Sequence, residues 1–531
     1  MEVKSSHLSY KSTGYFSKIV IDYLDRDEKL KPFYQHNNSR EGIQSAIEFR
    51  QKFNTNRKIL VKQLQKQYEG LPLNELQQQN LTSLLDENTF TITTAHQPNI
   101  FTGPLYFIYK IMHSIKLANQ LKIDLPAYNF VPFYYMGSED ADLEEIGTLT
   151  VGGEKLVWQT NQTGAVGRMK VDESLLKLID RIHGQVGVNE FGVELTQIFK
   201  AVYTLGKSIQ QASLELVNIL FQQFGLLVLM PDNSILKAEF NKIISKEIES
   251  KFSNKILQHS INQLGKHYKV QTLGREINLF YLYENHRERI EQEGELFVVK
   301  KLHKSFQLIE IQEEIKKYPE RFSANVILRG VFQETILPNI VFIGGGGELA
   351  YWLELKEIFK SANVPYPVLV LRNSFLLISK KQQQIISNHG IELTQLFLKE
   401  FDLIQLKILA ASNNQLNISD EIDQISRLYT QIEHLATLVD GSLSNHIQAL
   451  KTKALNKLAC VEKKMIRSEK RNFSLLSSQI HQLKQALFPN ESLQERVENF
   501  SLFYSKHGKD WLNTIYQSSL ALEQQFTVVY E

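Results

Sequence analysis

Cysteine is almost missing from this chain. Cys460 is the only one in 531 residues. That excludes an intramolecular disulfide framework and a cysteine-based zinc cluster, and no metal-ligand set is read from the rest of the sequence. A charge excess is missing too. Sixty Lys and Arg stand against 58 Asp and Glu, for a formal net charge of +2. No global field therefore draws the chain to nucleic acid or to a membrane surface. No apolar run is long enough to span a bilayer. The opening stretch Met1–His7 lacks the apolar core of a signal peptide, so the chain is expected in the cytoplasm. With 12 prolines and no low-complexity tract, it offers no obvious disordered linker.

What is present is enough apolar sequence, 43% of residues, for two to four domains and at least one large core. Residues 1 to about 85 read as polar helices with apolar anchors. The stretch from Phe90 to Leu121 reads as strand, loop, helix. Phe90–Thr94 is β-branched and aromatic, Ala95–Pro104 is a polar loop, and apolar residues recur at helical spacing from Leu105 onward. Pro104 suits a first helical turn. A polar loop between a buried strand and a helix N-terminus is a natural anion or nucleotide site; an ordinary βα connection is the plain alternative.

Asn129–Met136 reads as a second buried strand. It runs into Ser138-Glu139-Asp140-Ala141-Asp142-Leu143-Glu144-Glu145. Ligands of open α/β sheets bind outside the carboxyl ends of strands. These acids equally suit the start of the next helix. Phe224–Asp232 reads as a third strand. An insertion near 148–222 begins β-like and turns helical, and a second, near 239–320, begins helical and turns β-like. Further strands are expected at Ala324–Arg329 and Asn339–Ile343. Then come Gly344-Gly345-Gly346-Gly347, four glycines that let a ligand approach the backbone. They match neither a Walker A loop nor a GxGxxG fingerprint. Pro367–Leu371 is the last strand, followed by Arg372-Asn373-Ser374; an arginine there can grip phosphate or carboxylate with two hydrogen bonds, or make an ion pair.

Past about 382 glycine and proline nearly vanish. Ile422, Ile425, Tyr429, Ile432, Leu435 and Val439 make one apolar stripe, and Leu443, Ile447, Leu450, Ala454, Leu458, Val461 and Met465 a second. Joined at Asp440-Gly441, with Ser442 as N-cap, they read as an antiparallel helical hairpin whose second helix runs to about Leu487. Lys451, Lys453, Lys457, Lys463, Lys464, Arg467, Lys470 and Arg471 make that helix basic, as a solvated face or as a nucleic-acid or subunit contact. Cys460 has no activating pattern beside it.

Strands separated by helical crossovers imply an α/β fold with a Rossmann-type parallel sheet. The expected division is a core over 1–380, a coiled-coil hairpin over 381–490, and a helical segment over 491–531 packing back on the core. Several stretches also carry a resemblance: Gln97; Phe101–Tyr106; Glu139–Glu145; Arg275–Arg287 with Asn278, Phe280 and Tyr281; Leu337-Pro338-Asn339 with Gly344–Trp352; and Leu493–Arg496. In order and spacing they resemble the bacillithiol biosynthesis cysteine-adding family, BshC. One departure is local. Where the family shows Thr-Gly-Gln-Gln-x-Gly, this chain has Thr94-Ala95-His96-Gln97-Pro98-Asn99.

The resemblance implies a core similar to class I aminoacyl-tRNA synthetases, with two connecting insertions and a coiled coil used in homodimerisation. It implies a cysteine ligase that adds cysteine to the amino group of glucosaminyl malate, the last step to bacillithiol, with ATP and possible Mg²⁺ involvement. The catalytic candidates are His96, Gln97, Asp140 and Asp142. Nucleotide-binding candidates are Asn99, Thr102, Gly103, Gly344, Gly345, Gly346 and Gly347. Substrate-binding candidates are Ser138, Glu139, Arg329, Asn339, Glu348, Tyr351, Arg372 and Asn373. Acyl-adenylate and acyl-phosphate activation both stay open. Two other classes compete: a synthetase-like nucleic-acid-binding protein, against which the small net charge argues, and a coiled-coil scaffold without catalysis.

Overall fold

A computed structural model describes residues 4–412 and 416–531. Met1–Val3, the first residues of the stretch read for a leader, lie outside the described residues. The chain divides into two compact units. One comprises Met1–Leu376 with Leu493–Val529, the other Leu377–Ser492 with Tyr530–Glu531. No helix among the described residues is long and apolar enough to cross a membrane.

The first unit is built on five strands: β1 (Thr89–His96), β2 (Asn129–Met136), β3 (Leu227–Leu229), β4 (Asn339–Gly344) and β5 (Val368–Leu371). They lie in the order β3-β2-β1-β4-β5, and every neighbouring pair is parallel. Thr93 on β1 stands opposite Phe133 on β2 and Phe342 on β4. Successive strands are added outward from β1 in both directions, so the order reverses between β1 and β4. That is the switch point at which an open parallel sheet leaves a crevice.

The strands are nearly continuous apolar or β-branched runs because helices cover both faces. The central β1 nevertheless carries buried threonines, and their hydroxyls are satisfied. Thr91 Oγ1 donates to Asn339 Oδ1 at 3.2 Å, Thr93 Oγ1 to Thr91 Oγ1 at 3.1 Å, and Thr94 Oγ1 to the Ile343 carbonyl at 2.9 Å. Helix α1 (Tyr106–Asp124) is the crossover from β1 to β2. Its Leu117, Ala118 and Leu121 pack with Phe90, Ile92, Phe130, Val341, Ile343, Val368 and Val370 in one core. Strand β3 is shorter than its apolar run because Gln67 takes over: its Oε1 accepts the Met230 N–H at 2.8 Å, and Pro231 has no N–H to give.

One expected strand is a helix. Ala324–Arg329 contributes only its first residue to a short strand, Phe322–Ala324; α2 then runs over Val326–Ile336. Asn325 decides this, since its Oδ1 accepts from the N–H of Ile327 at 2.9 Å and Leu328 at 3.4 Å, a helix N-cap. The apolar Ile327, Leu328, Val331 and Phe332 then fall on a buried face. The four glycines are likewise not a free loop. Gly344 ends β4, Gly345 is an N-cap, and α3 begins at Gly346 and runs to Ala362.

Residues 148–222 form the hairpin Thr148–Val151/Glu154–Val157 and helices Glu173–Val186, Gly192–Val202 and Ile209–Phe221. Residues 239–320 hold helices Asn241–Ser250, Phe252–Leu264 and Leu308–Lys317, and between them a strand hairpin Leu279–Tyr283/His286–Arg289.

In the second unit α4 (Ser419–Val439) and α5 (Leu443–Asn472) form the antiparallel hairpin. Ser444 Oγ and Gln448 Nε2 of α5 donate to Glu433 of α4 at 2.8 and 2.5 Å. The turn is capped by Asp440, whose Oδ1 accepts the Ser442 N–H at 2.8 Å; the Ser442 side chain caps nothing. The long second helix breaks at Phe473, where the backbone turns to φ −104°, ψ 36°, and α6 (Ser474–Leu487) follows.

Candidate functional site

A cavity of about 750 Å³ opens at the carboxyl ends of β1 and β4, over the switch point. Each wall has a clear origin. The end of β1 supplies Ala95, His96 and Gln97. The first turns of α1 supply Tyr106 and Lys110. The turn after β2 supplies Gly137, Asp140 and Glu145, and the start of α3 supplies Gly345, Gly346, Gly347, Glu348 and Tyr351. Asn325 and Arg329 enter from α2, Arg372 from the end of β5, Arg496 from the C-terminal segment, and Arg275, Phe280, Arg287 and Arg289 from the hairpin.

The lining is strongly cationic. Seven Lys and Arg side chains face three carboxylates, Asp140, Glu145 and Glu348. Asp140 is the hub on one side. Its Oδ2 accepts from Gln97 Nε2 and from Arg329 Nη1, both at 3.3 Å. Burial works to raise its pKa, but Arg329 and Arg287 outweigh it and hold the carboxyl below its ordinary value. Glu145 goes the other way: burial and the carboxylates of Asp142, Asp140 and Glu348 push it up.

Lys110 is the hub on the other side. It is 2% exposed, donates to the Ala95 carbonyl at 2.8 Å and pairs with Glu348. Glu348 turns back to accept the Gly345 N–H at 2.8 Å. Burial lowers the Lys110 pKa and Glu348 opposes the shift. His96 packs edge-on against Tyr106, ring centres 5.3 Å apart. Burial first, then Lys110 and Arg372, drive its pKa well below 6.5, so the imidazole is neutral at physiological pH. Its Nε2 is buried without a hydrogen-bond partner among the described residues.

Of the residues expected from sequence, His96, Gln97, Asp140, Gly345, Gly346, Gly347, Glu348, Tyr351, Arg329 and Arg372 meet in this cavity. The others do not. Asn99 and Thr102 turn to the opposite side of their loop, against Tyr134, Tyr203 and the helix Ile209–Phe221. The loop backbone forces this: Phe101, Thr102 and Gly103 sit at φ +49°, +70° and +63°. That strained run is held by Tyr203, whose hydroxyl accepts the Phe101 N–H at 3.0 Å, and by Asn499, whose Nδ2 donates to the Phe101 and Gly103 carbonyls at 2.9 and 2.5 Å. A Cβ on Gly103 would lie 2.8 Å from the Asn99 side chain. These loop residues are therefore committed to their own packing, and the Leu105 N–H is already taken by the Glu498 carbonyl at 2.8 Å.

Gly344 is a packing glycine, since a Cβ there would meet the Phe342 ring at 2.8 Å. Ser138 is buried, its carbonyl accepting the Gly167 N–H at 2.9 Å. Glu139 pairs with the buried Lys237, which also holds Asp232 at 3.0 Å. Asp142 caps a short helix through the Glu145 N–H at 3.1 Å. Asn339 lies at the far end of β4, donating to the buried Glu334 at 2.7 Å. Asn373 donates to the Leu520 carbonyl at 2.8 Å, and its N–H is accepted by His113 at 3.1 Å. Arg372 reaches the cavity, but its fork is committed. It pairs with the buried Glu495 at 2.7 Å, donates to the Asn373 carbonyl at 2.9 Å and Ser374 Oγ at 3.0 Å, and lies 5.2 Å from the Tyr106 ring centre.

Sequence reasoning passed over Lys110, Glu145, Arg275, Arg287, Arg289 and Arg496 as site residues. Lys110 was legible as the one charge amid the buried apolar residues of α1; the arginines gave no local signal, because only the tertiary fold brings them to the sheet.

Strand order, switch-point cleft and cationic lining define a Rossmann-type α/β protein with a cation-lined crevice, followed by a helical coiled-coil unit. The chain belongs to the bacillithiol biosynthesis BshC family: the family's N-terminal Rossmann-like domain matches residues 1–373 and its C-terminal coiled-coil domain residues 375–531. Among its relatives, a Flavobacterium psychrophilum protein is 40% identical over 525 residues, covering 98% of both chains. A Flavobacterium johnsoniae protein is 38% identical, covering 98% of this chain and 99% of its own. One from Bacillus mycoides is 25% identical, covering 96% and 97%. Each carries the name "Putative cysteine ligase BshC".

Proposed function

We propose that the chain is a cysteine ligase that joins the carboxyl group of L-cysteine to the amino group of glucosaminyl malate, completing bacillithiol, with ATP activating the carboxylate. The observation that carries this reading is the cationic cavity at the β1/β4 switch point in a chain of this family. Both ATP and the malate arm are polyanions, and the lining is built to receive anions.

The donor set suits ATP. At the start of α3 the Gly346 and Gly347 N–H groups have no intrahelical acceptor, and the helix dipole adds to their pull on phosphate. A Cβ on Gly347 would meet nothing within 4 Å, so the backbone there is open to a ligand. When bound, ATP supplies the leaving group that makes the cysteine carboxyl electrophilic. Lys110 and the neutral His96 are donors for the charge that develops on the activated carboxyl oxygen. Asp140, kept ionised, orients an ammonium group by accepting its hydrogen bonds. Glu145, with its raised pKa, is the better proton acceptor for the attacking amine. No group of three or more His, Cys, Asp and Glu gathers for a metal among the described residues. A Mg²⁺ arriving with the nucleotide would therefore be held mainly by phosphate oxygens and water.

The same reading places the enzyme in the cytoplasm as a homodimer. The α4–α5 hairpin leaves Leu435, Leu438, Val439, Leu443 and Leu450 exposed, an apolar face that a second copy would cover.

The test is direct. Purified protein is incubated with glucosaminyl malate, cysteine and ATP, and the thiol product is followed by mass. Bacillithiol formed with ATP consumption is the expected result. No product under these conditions overturns the ligase reading, and steeply salt-dependent RNA binding in its place would favour the nucleic-acid alternative.

A further inference from the structure

Asp140 reaches into the cavity, and the residue before it turns the other way. Glu139 is 6% exposed and pairs with Lys237, near the end of a short helix, Ser234–Ala238. The Lys237 ammonium faces three acceptors: Glu139, Asp232 Oδ1 at 3.0 Å and the Glu320 carbonyl at 3.0 Å. Asp232, just past β3, also receives Arg168 through both carboxylate oxygens, from Nε at 2.6 Å and from Nη2 at 2.7 Å. Arg168 donates again to the Glu320 carbonyl at 3.3 Å. Two anions and two cations are thus matched, and none of the four lines the cavity.

The chain closes these contacts into a ring. Arg168 ends a helical turn of the first insertion, Val166–Arg168. The two residues before it bind the backbone on either side of Glu139. The Gly167 N–H donates to the Ser138 carbonyl at 2.9 Å, and the Val166 N–H to the Asp140 carbonyl at 2.8 Å. The approach is close enough to need glycine, since a Cβ on Gly167 would lie 2.5 Å from the Ser138 carbonyl oxygen. The path leaves the turn after β2 through its backbone, passes Arg168, Asp232 and Lys237, and returns through Glu139. On the way it joins the first insertion, the end of β3 and both ends of the second insertion.

The cavity side of the same turn is held less firmly. Asp140 and Arg329 are 22% and 24% exposed, and the contacts of Asp140 to Arg329 and Gln97 are both 3.3 Å long. A part-exposed pair at that distance fixes a carboxylate weakly. A buried charge that loses its partner is far costlier, so the ring resists distortion where the pair does not.

We propose that this four-charge ring positions Asp140 in the cavity, with Glu139 and Lys237 as positioning residues that act through it. The inference rests on reading the cavity as the ligase site and goes further by naming residues behind the cavity that set its geometry.

The test compares ligand-free crystal structures and steady-state kinetics of the wild-type protein, Glu139→Gln and Gly167→Ala. The first variant loosens the ring through a side chain, the second through the backbone, and the second serves if the first does not fold. In both, the Asp140 carboxylate is expected to move off Arg329 by about 1 Å, and kcat/KM for glucosaminyl malate to fall about 10- to 100-fold with KM for ATP unchanged. Glu139→Asp, which keeps the charge, is expected to recover part of that loss. Glu139→Gln/Asp140→Asn is expected to be no worse than Asp140→Asn alone, because Glu139 acts only through Asp140. Asp140 still on Arg329 in both variants, losses that add in the double variant, or an equal rise in KM for ATP overturns the proposal. The two readings fail separately. Displacement of Asp140 in the variants of a protein that forms no bacillithiol overturns the ligase alone; bacillithiol formation at the wild-type rate by both variants overturns the ring alone.

Discussion

Charged side chains in this protein divide by what stands next to them. Arg50 and Glu334 are 2% and 0% exposed and pair at 2.6 Å, with Gln333 and Asn339 completing the carboxylate's bonds. They are structural. Arg50→Met leaves the Glu334 carboxylate buried without its cation, which should cost about 3–5 kcal/mol in urea unfolding; a loss below about 1 kcal/mol would contradict that. His96 lies beside the cationic lining and is held neutral. Its protonation falls well below pH 6.5, so kcat/KM should show no inflection near pH 6.5 that disappears in His96→Asn. That variant should lower turnover while keeping the wild-type unfolding midpoint. Residue identity alone did not separate these roles. Gln97 and Asp140 were legible because they stand at strand ends. Asn99 and Asn339, equally polar and equally near strands, were not, because a left-handed loop and the far end of β4 carry them elsewhere.

At the scale of elements the proposed phosphate donors lie at a different helix start from the one the sequence suggests. The sequence favours α1, with its proline and polar loop; the fold instead caps α1 with Glu498 and leaves the start of α3 open. Gly347→Ala should fold as the wild type does, since its Cβ enters empty space, yet raise KM for ATP several-fold by crowding the phosphate; an unchanged KM would remove α3 from the nucleotide site. The strand expected at Ala324–Arg329 failed for a local reason. A β-branched run reads as a strand until the asparagine before it is weighed as a cap. Asn325→Ala should destabilise the protein by about 0.5–2 kcal/mol, measured by urea unfolding, because it removes the Oδ1 that accepts from Ile327 and Leu328. The second insertion does read as β-like, and a strand falls at Leu279–Tyr283, but which side chains of its hairpin enter the cavity depends on tertiary packing.

At the scale of the molecule, the parallel sheet and the helical hairpin were legible because hydrophobic period and helix breakers are local signals. Which strand ends converge is set by sheet order, and sequence does not print that order. Folding also fixes a pH dependence. Burial is the main cause that lowers His36 and His113 to about 4 from an ordinary 6.5. The unfolded chain therefore binds more protons between pH 6.5 and 4, so stability rises with pH through that window. The contribution is complete above pH 6.5 and lost by pH 4, on the order of 3 kcal/mol for each group. Urea unfolding free energies that fall from pH 7 to pH 5, less steeply in His113→Gln, would bear this out; a flat profile would not.

The claim on which the rest depends is that the crevice between β1 and β4 is where ligation occurs. A crystal structure of the protein with glucosaminyl malate and a non-hydrolysable ATP analogue tests it most directly. The account predicts the triphosphate on the Gly346 and Gly347 N–H groups and glucosaminyl malate in the same cavity, with its sugar amine near Asp140 and Glu145. Both ligands bound elsewhere, with this crevice empty, would contradict it.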